Sequence, residues 1–186
     1  MKSALLVIDV QHYLCNGKWA AFDIENVIAR INALSAEARA AGVPVVLIQH
    51  EEGEGALAHG SEGWQMDPRV ATAPSDLRIR KTACDSFHQT PLDSLLRERG
   101  VDTLVICGLQ SEYCVDSTTR GALAHGYPVT LVADAHSTVD NNGLTAAQIT
   151  AHHNETLANL GSYGVRVSVI PAAAATAAMG RDPRSS

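Results

Sequence analysis

Of the four cysteines in this sequence, Cys114 stands where the chain could make a nucleophile of it. It follows the aliphatic run Val101 to Cys107 and the turn Gly108-Leu-Gln-Ser-Glu-Tyr113, and it opens a segment that runs to Gly126. The pattern reads strand, tight turn, helix. Backbone N–H groups at a helix start have no intrahelical partner, and with the helix dipole they favour negative charge. A thiol placed there is expected to have a depressed pKa, and the same N–H groups could hold an oxyanion. The competing reading is a buried structural thiol, the commoner fate of a free cysteine. This segment alone leaves both open.

The elements around Cys114 narrow the choice. Ala4 to Val10 is a continuous aliphatic run between polar residues and reads as a buried strand, with Asp9 at its close. Asp23 is placed to cap a helix whose apolar residues, Ile24, Val27, Ile28, Ile31 and Leu34, repeat at the spacing of one buried face, and Gly42 ends it. Further strands are expected at Val43–Gln49, Leu77–Lys81, Val101–Cys107, Pro128–Ala133 and Val165–Ile170. Between them, Thr90-Pro91 opens a helix that runs to about Gly100, and Thr145 with Gln148 forms a capping box for one that ends near Gly161. Glu51 to Pro74 reads as a long, Gly-rich functional loop. Ala172 to Met179 reads as a short helix and residues 180–186 as a flexible tail.

Strands alternating with helices imply an α/β fold of three layers with a six-stranded, mostly parallel Rossmann-like sheet, for which the doubly wound order 3-2-1-4-5-6 is expected. Ligands of such sheets bind at the carboxyl ends of the strands, where the strand order reverses. There the first and fourth strands are neighbours, so Asp9 and Cys114 are expected in one crevice.

Composition bounds the rest. A chain of 186 residues is expected to form one domain, residues 1–186. Its 46% apolar and 18% charged residues suit a folded protein rather than a disordered one. A net charge of −6 without a basic block, and only 4% aromatics, argue against a nucleic-acid partner. The cysteines form no C-x-x-C pair and no zinc spacing. No signal peptide or membrane-length apolar run is seen, so a cytoplasmic protein with reduced thiols is expected.

Several short pieces, taken in order, resemble the isochorismatase-like cysteine hydrolases from about Ser3 to Ile170. They are Leu-Leu-Val-Ile-Asp9-Val-Gln11, then Arg80-Lys81 with Ser86-Phe87 and Thr90-Pro-Leu, then Gly108-Leu-Gln-Ser-Glu-Tyr-Cys114-Val115, and Val132-Ala-Asp134-Ala-His-Ser137. The resemblance implies a triad of Asp9, Lys81 and Cys114. In it Asp9 is general base and acid, Lys81 the electrostatic partner, and Cys114 the nucleophile that forms an acyl-thioester. It also implies a cis Leu109–Gln110 peptide and an oxyanion hole built from the Gln110 and Cys114 amides. Family members are commonly homo-oligomers, so a dimer or tetramer is expected. Read without the resemblance, Asp9 is a turn cap and Lys81 a solvated strand-edge lysine.

Gln11, Tyr13, Trp19, Trp64, Phe87 and Tyr113 lie on or near loops expected over the crevice and are candidate substrate-binding residues. Trp19 and Trp64 could equally pack under the long loop or against a second subunit. Cys107 reads as strand packing, Cys15 and Cys84 as incidental loop thiols, and His152-His153 as surface. Nicotinamidases of this superfamily carry an Asp-x-His and a further His that bind a metal. Here the region reads Gln49-His50-Glu51-Glu52, with His59 later, so the pattern is broken and no metal or other cofactor is expected.

The expected function is hydrolysis of a C–N bond in a small amide, lactam or N-carbamoyl compound. The alternatives are vinyl-ether hydrolysis of the isochorismatase type, with Asp9 as acid, and small-molecule binding without catalysis. Ammonia release, pyruvate release, or binding without turnover tells the three apart.

Overall fold

The computed structural model describes residues 2–179, so the expected tail at 180–186 lies outside the described residues. Six parallel strands form one sheet: β1 Ser3–Ile8, β2 Val45–His50, β3 Leu77–Lys81, β4 Thr103–Leu109, β5 Val129–Ser137 and β6 Val167–Ile170. Their order is β3-β2-β1-β4-β5-β6. The helices are α1 His12–Cys15, α2 Ile24–Ala40, α3 Leu92–Glu98, α4 Asp116–Ala124, α5 Ala146–Ala158 and α6 Ala172–Met179.

Alternation along the strands builds two cores. On one face Leu5, Val7, Leu47, Val105 and Cys107 pack with Val27, Ile31 and Leu34 of α2 and with Ala172 and Ala175 of α6. On the other, Leu6, Ile8, Ile48, Leu104 and Ile106 pack with Leu92 and Leu96 of α3, Ala122 and Leu123 of α4, and Leu157 of α5. Successive strand residues point to opposite faces, so a strand buried on both reads as an unbroken apolar run.

Local detail departs from expectation in several places. Asp23 precedes α2 with φ 55° and makes no capping bond; its carboxylate accepts from Asn26 Nδ2 and pairs with Arg30. β1 ends at Ile8, because Asp9 turns into the left-handed region at φ 50°. β5 runs four residues beyond the expected Ala133, to Ser137. The expected capping box of Thr145 and Gln148 is present at α5.

Gly108 is where β4 passes closest to β1. Its φ is +119°, and a Cβ there would lie 2.1 Å from the Ile8 carbonyl oxygen, which is backbone and cannot swing away. Gly108→Ala must therefore move one of the two central strands and is expected to cost about 3 kcal/mol or more. A urea midpoint within error of the parent protein would contradict that reading.

Candidate active site

Three strand ends deliver the candidate catalytic groups. Asp9 follows β1, Lys81 closes β3, and Cys114 lies in the turn after β4. Lys81 is fully buried, and its ammonium donates to Asp9 Oδ2 at 2.8 Å, to Cys114 Sγ at 3.1 Å and to the Ala83 carbonyl at 3.1 Å. All three ammonium hydrogens are thereby used. Asp9 is 1% exposed, and its second oxygen, Oδ1, is buried with no hydrogen-bond partner. The site thus holds one cation, one carboxylate and one thiol, with a carboxylate oxygen left to accept a proton.

The turn bearing Cys114 is not the first turn of an α-helix. Ser111–Val115 winds as a π-helical turn, and α4 begins at Asp116. Nor is the Cys114 thiol's pKa depressed. Burial pushes it up, the Asp9 carboxylate pushes it further, and Lys81 only partly opposes them. Burial also works against the Lys81 charge, but Asp9 and Cys114 outweigh it and hold the lysine pKa above its usual value. Full ionisation of both Asp9 and Cys114 would put two negative charges against one positive charge out of water. The pair therefore keeps one proton, which can sit on sulfur or on carboxylate. Transfer within the pair would make the thiolate without any loss of a proton to solvent.

The Leu109–Gln110 peptide is cis, and among the described residues the Gln110 N–H donates no hydrogen bond. The turn is pinned from behind by a buried network. His136 Nδ1 lies 2.8 Å from Ser111 Oγ, and its Nε2 lies 2.9 Å from Asn154 Oδ1. Because Asn154 Nδ2 donates to the Ala133 carbonyl, its Oδ1 must accept from His136 Nε2–H; burial keeps the imidazole neutral, which leaves Nδ1 to accept the Ser111 hydroxyl. Burial pushes the His136 pKa down to about 4. Unfolded chain takes up a proton at this residue near pH 6.5, whereas folded protein does so only near 4. The contribution of this residue to stability is then complete above 6.5 and falls by about 3 kcal/mol as pH drops to 4. Ser111→Ala is expected to weaken the hold on the turn and lower kcat more than it raises KM. A KM change alone would place Ser111 on the substrate rather than behind the nucleophile.

A cavity of about 420 Å³ opens on Asp9, Gln110 and Cys114. Tyr13, Trp19 and Tyr113 line it, as expected of candidate binding residues, together with Leu14, His50, Glu52, Leu57, Cys84 and Val139. The other three candidates lie elsewhere. Gln11 is fully buried, and its amide clamps His50 N–H, the His50 carbonyl and the Trp64 carbonyl at 2.9 Å each. Trp64 packs edge-on against His59, with ring centroids 4.6 Å apart. Phe87 stacks on His125 and Tyr127 in the core beside α3 and α4. Gln11 and Trp64 thus brace the wall from behind, and Phe87 serves packing.

Cys84, expected to be an incidental loop thiol, is exposed and lines this cavity; its place three residues after Lys81 is the signal for it in the sequence. Cys15 is buried in α1, with its pKa pushed up to about 12 by burial and by Asp67. His153 is half-buried against Asp116 Oδ1 at 3.2 Å rather than a free surface residue. His59 lies 2.7 Å from Arg80 Nη1, and among the described residues no three His, Cys, Asp or Glu side chains group as metal ligands.

The wall carrying Tyr13 and Trp19 is tied down by buried charge. Arg69 donates to Asp67 and to the Cys15 carbonyl, while Asn16 donates to Asp67 Oδ2 at 2.7 Å. Burial works against the Asp67 charge, but Arg69 and Asn16 prevail and hold that carboxyl below its usual range. Asp67 thereby couples the long loop to α1.

With this geometry in place, relatives can be compared. The isochorismatase domain family matches residues 3–161. A streptothricin hydrolase of Streptomyces noursei is 42% identical over 138 residues, covering 74% of this chain and 55% of that protein. The chain therefore spans about half the length of that relative. A ureidoacrylate amidohydrolase of Methylobacterium radiotolerans is 31% identical, over 90% of this chain and 76% of the relative. A crystal structure of an isochorismatase family protein is 38% identical and superposes with a TM-score of 0.83, covering 90% of this chain and 97% of the other. The domain match, these relatives and the shared sheet agree, and the chain belongs to the isochorismatase family of hydrolases.

Proposed function

We propose that the protein is a cysteine amidohydrolase, cleaving a C–N bond of a small amide, lactam or N-carbamoyl compound through an acyl-thioester on Cys114. The observation that carries this is the buried Lys81 ammonium touching both Asp9 and Cys114 at the floor of a cavity. The relatives named as streptothricin hydrolase and ureidoacrylate amidohydrolase support the same reaction class.

In the first half-reaction the S–H proton passes to Asp9 as Sγ bonds to the carbonyl carbon. The Gln110 and Cys114 N–H groups receive the oxyanion. Collapse breaks the C–N bond, and Asp9 gives the proton to the departing amine. In the second, Asp9 takes a proton from water as the water oxygen attacks the thioester. Collapse then releases the acid, and the proton returns to sulfur. Lys81 stays charged throughout and compensates whichever partner is anionic. No metal takes part, so chelator treatment is expected to leave the rate unchanged.

Vinyl-ether hydrolysis with Asp9 as acid is the weaker reading. Among the described residues the cavity wall has no lysine or arginine to receive a dicarboxylate such as isochorismate. The protein is further proposed to be a cytoplasmic homo-oligomer, dimer or tetramer.

The test is a panel of small amides assayed for amine or ammonia release, with acid-quenched samples digested for mass spectrometry. A turned-over amide should leave its acyl mass on the Cys114 peptide. Near-normal turnover in Cys114→Ala, or pyruvate release from isochorismate as the only activity, would sink the proposal.

A further inference from the structure

Charge is distributed unevenly around the cavity. Its lining holds two carboxylates, Asp9 and Glu52, and no lysine or arginine. Lys81 beneath has no hydrogen left to give, since Asp9, Cys114 and the Ala83 carbonyl take all three. Glu51 is paired with Arg80 at 3.2 Å, whereas Glu52 makes no ion pair among the described residues. His50, also on the wall, has its Nδ1 buried with no hydrogen-bond partner. The rest of the mouth is aromatic: Tyr13, Trp19 and Tyr113.

Asp9 is neutralised by Lys81, so an anionic substrate would lose its hydration on entry and face the unpaired Glu52 carboxylate. A cation would meet a carboxylate without an ion-pair partner and electron-rich ring faces. The protein already supplies an example, with the Lys18 ammonium over the Trp19 ring, 5.1 Å from its centroid. Lys18 lines the outer groove beside Trp19 and not the cavity itself, so among the lining groups Glu52 is left uncompensated. The chain's net charge of −6 draws cations in the same sense at longer range.

We infer that the substrate carries a cationic group, an ammonium or guanidinium, on the side of the molecule away from the scissile bond, and that Glu52 and the aromatic mouth receive it. The inference rests on the amidohydrolase reading above. It makes Glu52 the residue that selects substrate by charge.

The experiment uses thiol-directed chloroacetamides of one length that differ only in the distal group: trimethylammonium, its neutral tert-butyl isostere, and carboxylate. Alkylation of Cys114 in the full chain is followed by peptide mass spectrometry. Each rate is divided by that reagent's rate with free mercaptoethanol, which removes intrinsic reactivity. The cationic reagent is expected to react about three- to tenfold faster than the neutral one, and the carboxylate slowest, with the spread narrowing as salt is added. Glu52→Gln, at an exposed position, should bring the cationic-to-neutral ratio close to one. Equal rates in the parent protein, or a preference that survives Glu52→Gln, would overturn the inference while a reactive Cys114 left the thioester mechanism standing. A Cys114 inert to all three reagents would remove both.

Discussion

Asp9→Asn is expected to abolish amide hydrolysis while leaving Cys114 as open to alkylation as before, or more so. The two effects part because Asp9 does two things. Its charge raises the Cys114 pKa, second only to burial, and Lys81 alone pulls the other way. Removing the charge leaves Lys81 unopposed except by burial, so the thiol ionises more readily. Turnover still fails, because nothing remains to take the thiol proton in concert with attack or to protonate the departing amine. Loss of a proton carrier from a nucleophile–base pair costs on the order of 10⁴ in kcat. Steady-state rates on a responsive amide, set beside Cys114 alkylation rates for the same preparation, measure both. A variant that kept a tenth of parental turnover would show that Asp9 is not the proton carrier.

Lys81→Met is expected to be the most damaging single change to stability near the site. It leaves Asp9, 1% exposed, as a buried carboxylate without its partner. Breaking a buried pair by deleting one member costs about 3–5 kcal/mol, because the surviving charge is stranded. Asp9→Asn added to Lys81→Met removes that stranded charge and is expected to recover much of the loss, a non-additivity that two separate packing defects would not show. The pH dependence has a definite sign. The Lys81 pKa is raised in the folded protein, so its contribution is complete below the unfolded lysine value and is lost only as pH rises through the higher folded value. Urea midpoints of the parent and Lys81→Met should therefore stay apart at neutral pH and converge only at strongly alkaline pH.

The parts of the fold that were legible in sequence are those governed by repeating pattern. Strand β3 runs from Leu77 to Lys81 as the sequence indicates, and the parallel sheet follows from strands alternating with helices, in the doubly wound order expected for it. The capping box at Thr145 is local chemistry and was readable for that reason. What escaped depends on short or distant partners. α1, at four residues, is too brief to show a periodicity. The π-helical turn at Ser111–Val115 has no signature that separates it from the start of α4.

The protonation of Cys114 was misread because helix position is visible in sequence and burial is not. Cys114 is only 9% exposed, and desolvation outweighs any favourable dipole. Gln11 and Trp64 were candidates for the pocket because they flank it in sequence, but a buried amide that satisfies three backbone groups is fixed by those groups and not by a substrate. Asp9, Lys81 and Cys114 are 72 and 33 residues apart along the chain, and the strand order brings them together.

The central claim is that Cys114 and Asp9 share one proton over Lys81. The most direct test needs no substrate: the pH dependence of iodoacetamide alkylation, resolved by peptide between Cys114 and the exposed Cys84. Internal transfer makes the Cys114 rate nearly flat across neutral and mildly alkaline pH, while the Cys84 rate climbs with its thiolate fraction. In Asp9→Asn the Cys114 profile should become an ordinary titration. A parental Cys114 whose rate rises in step with Cys84, or one that does not react at all, would contradict the account.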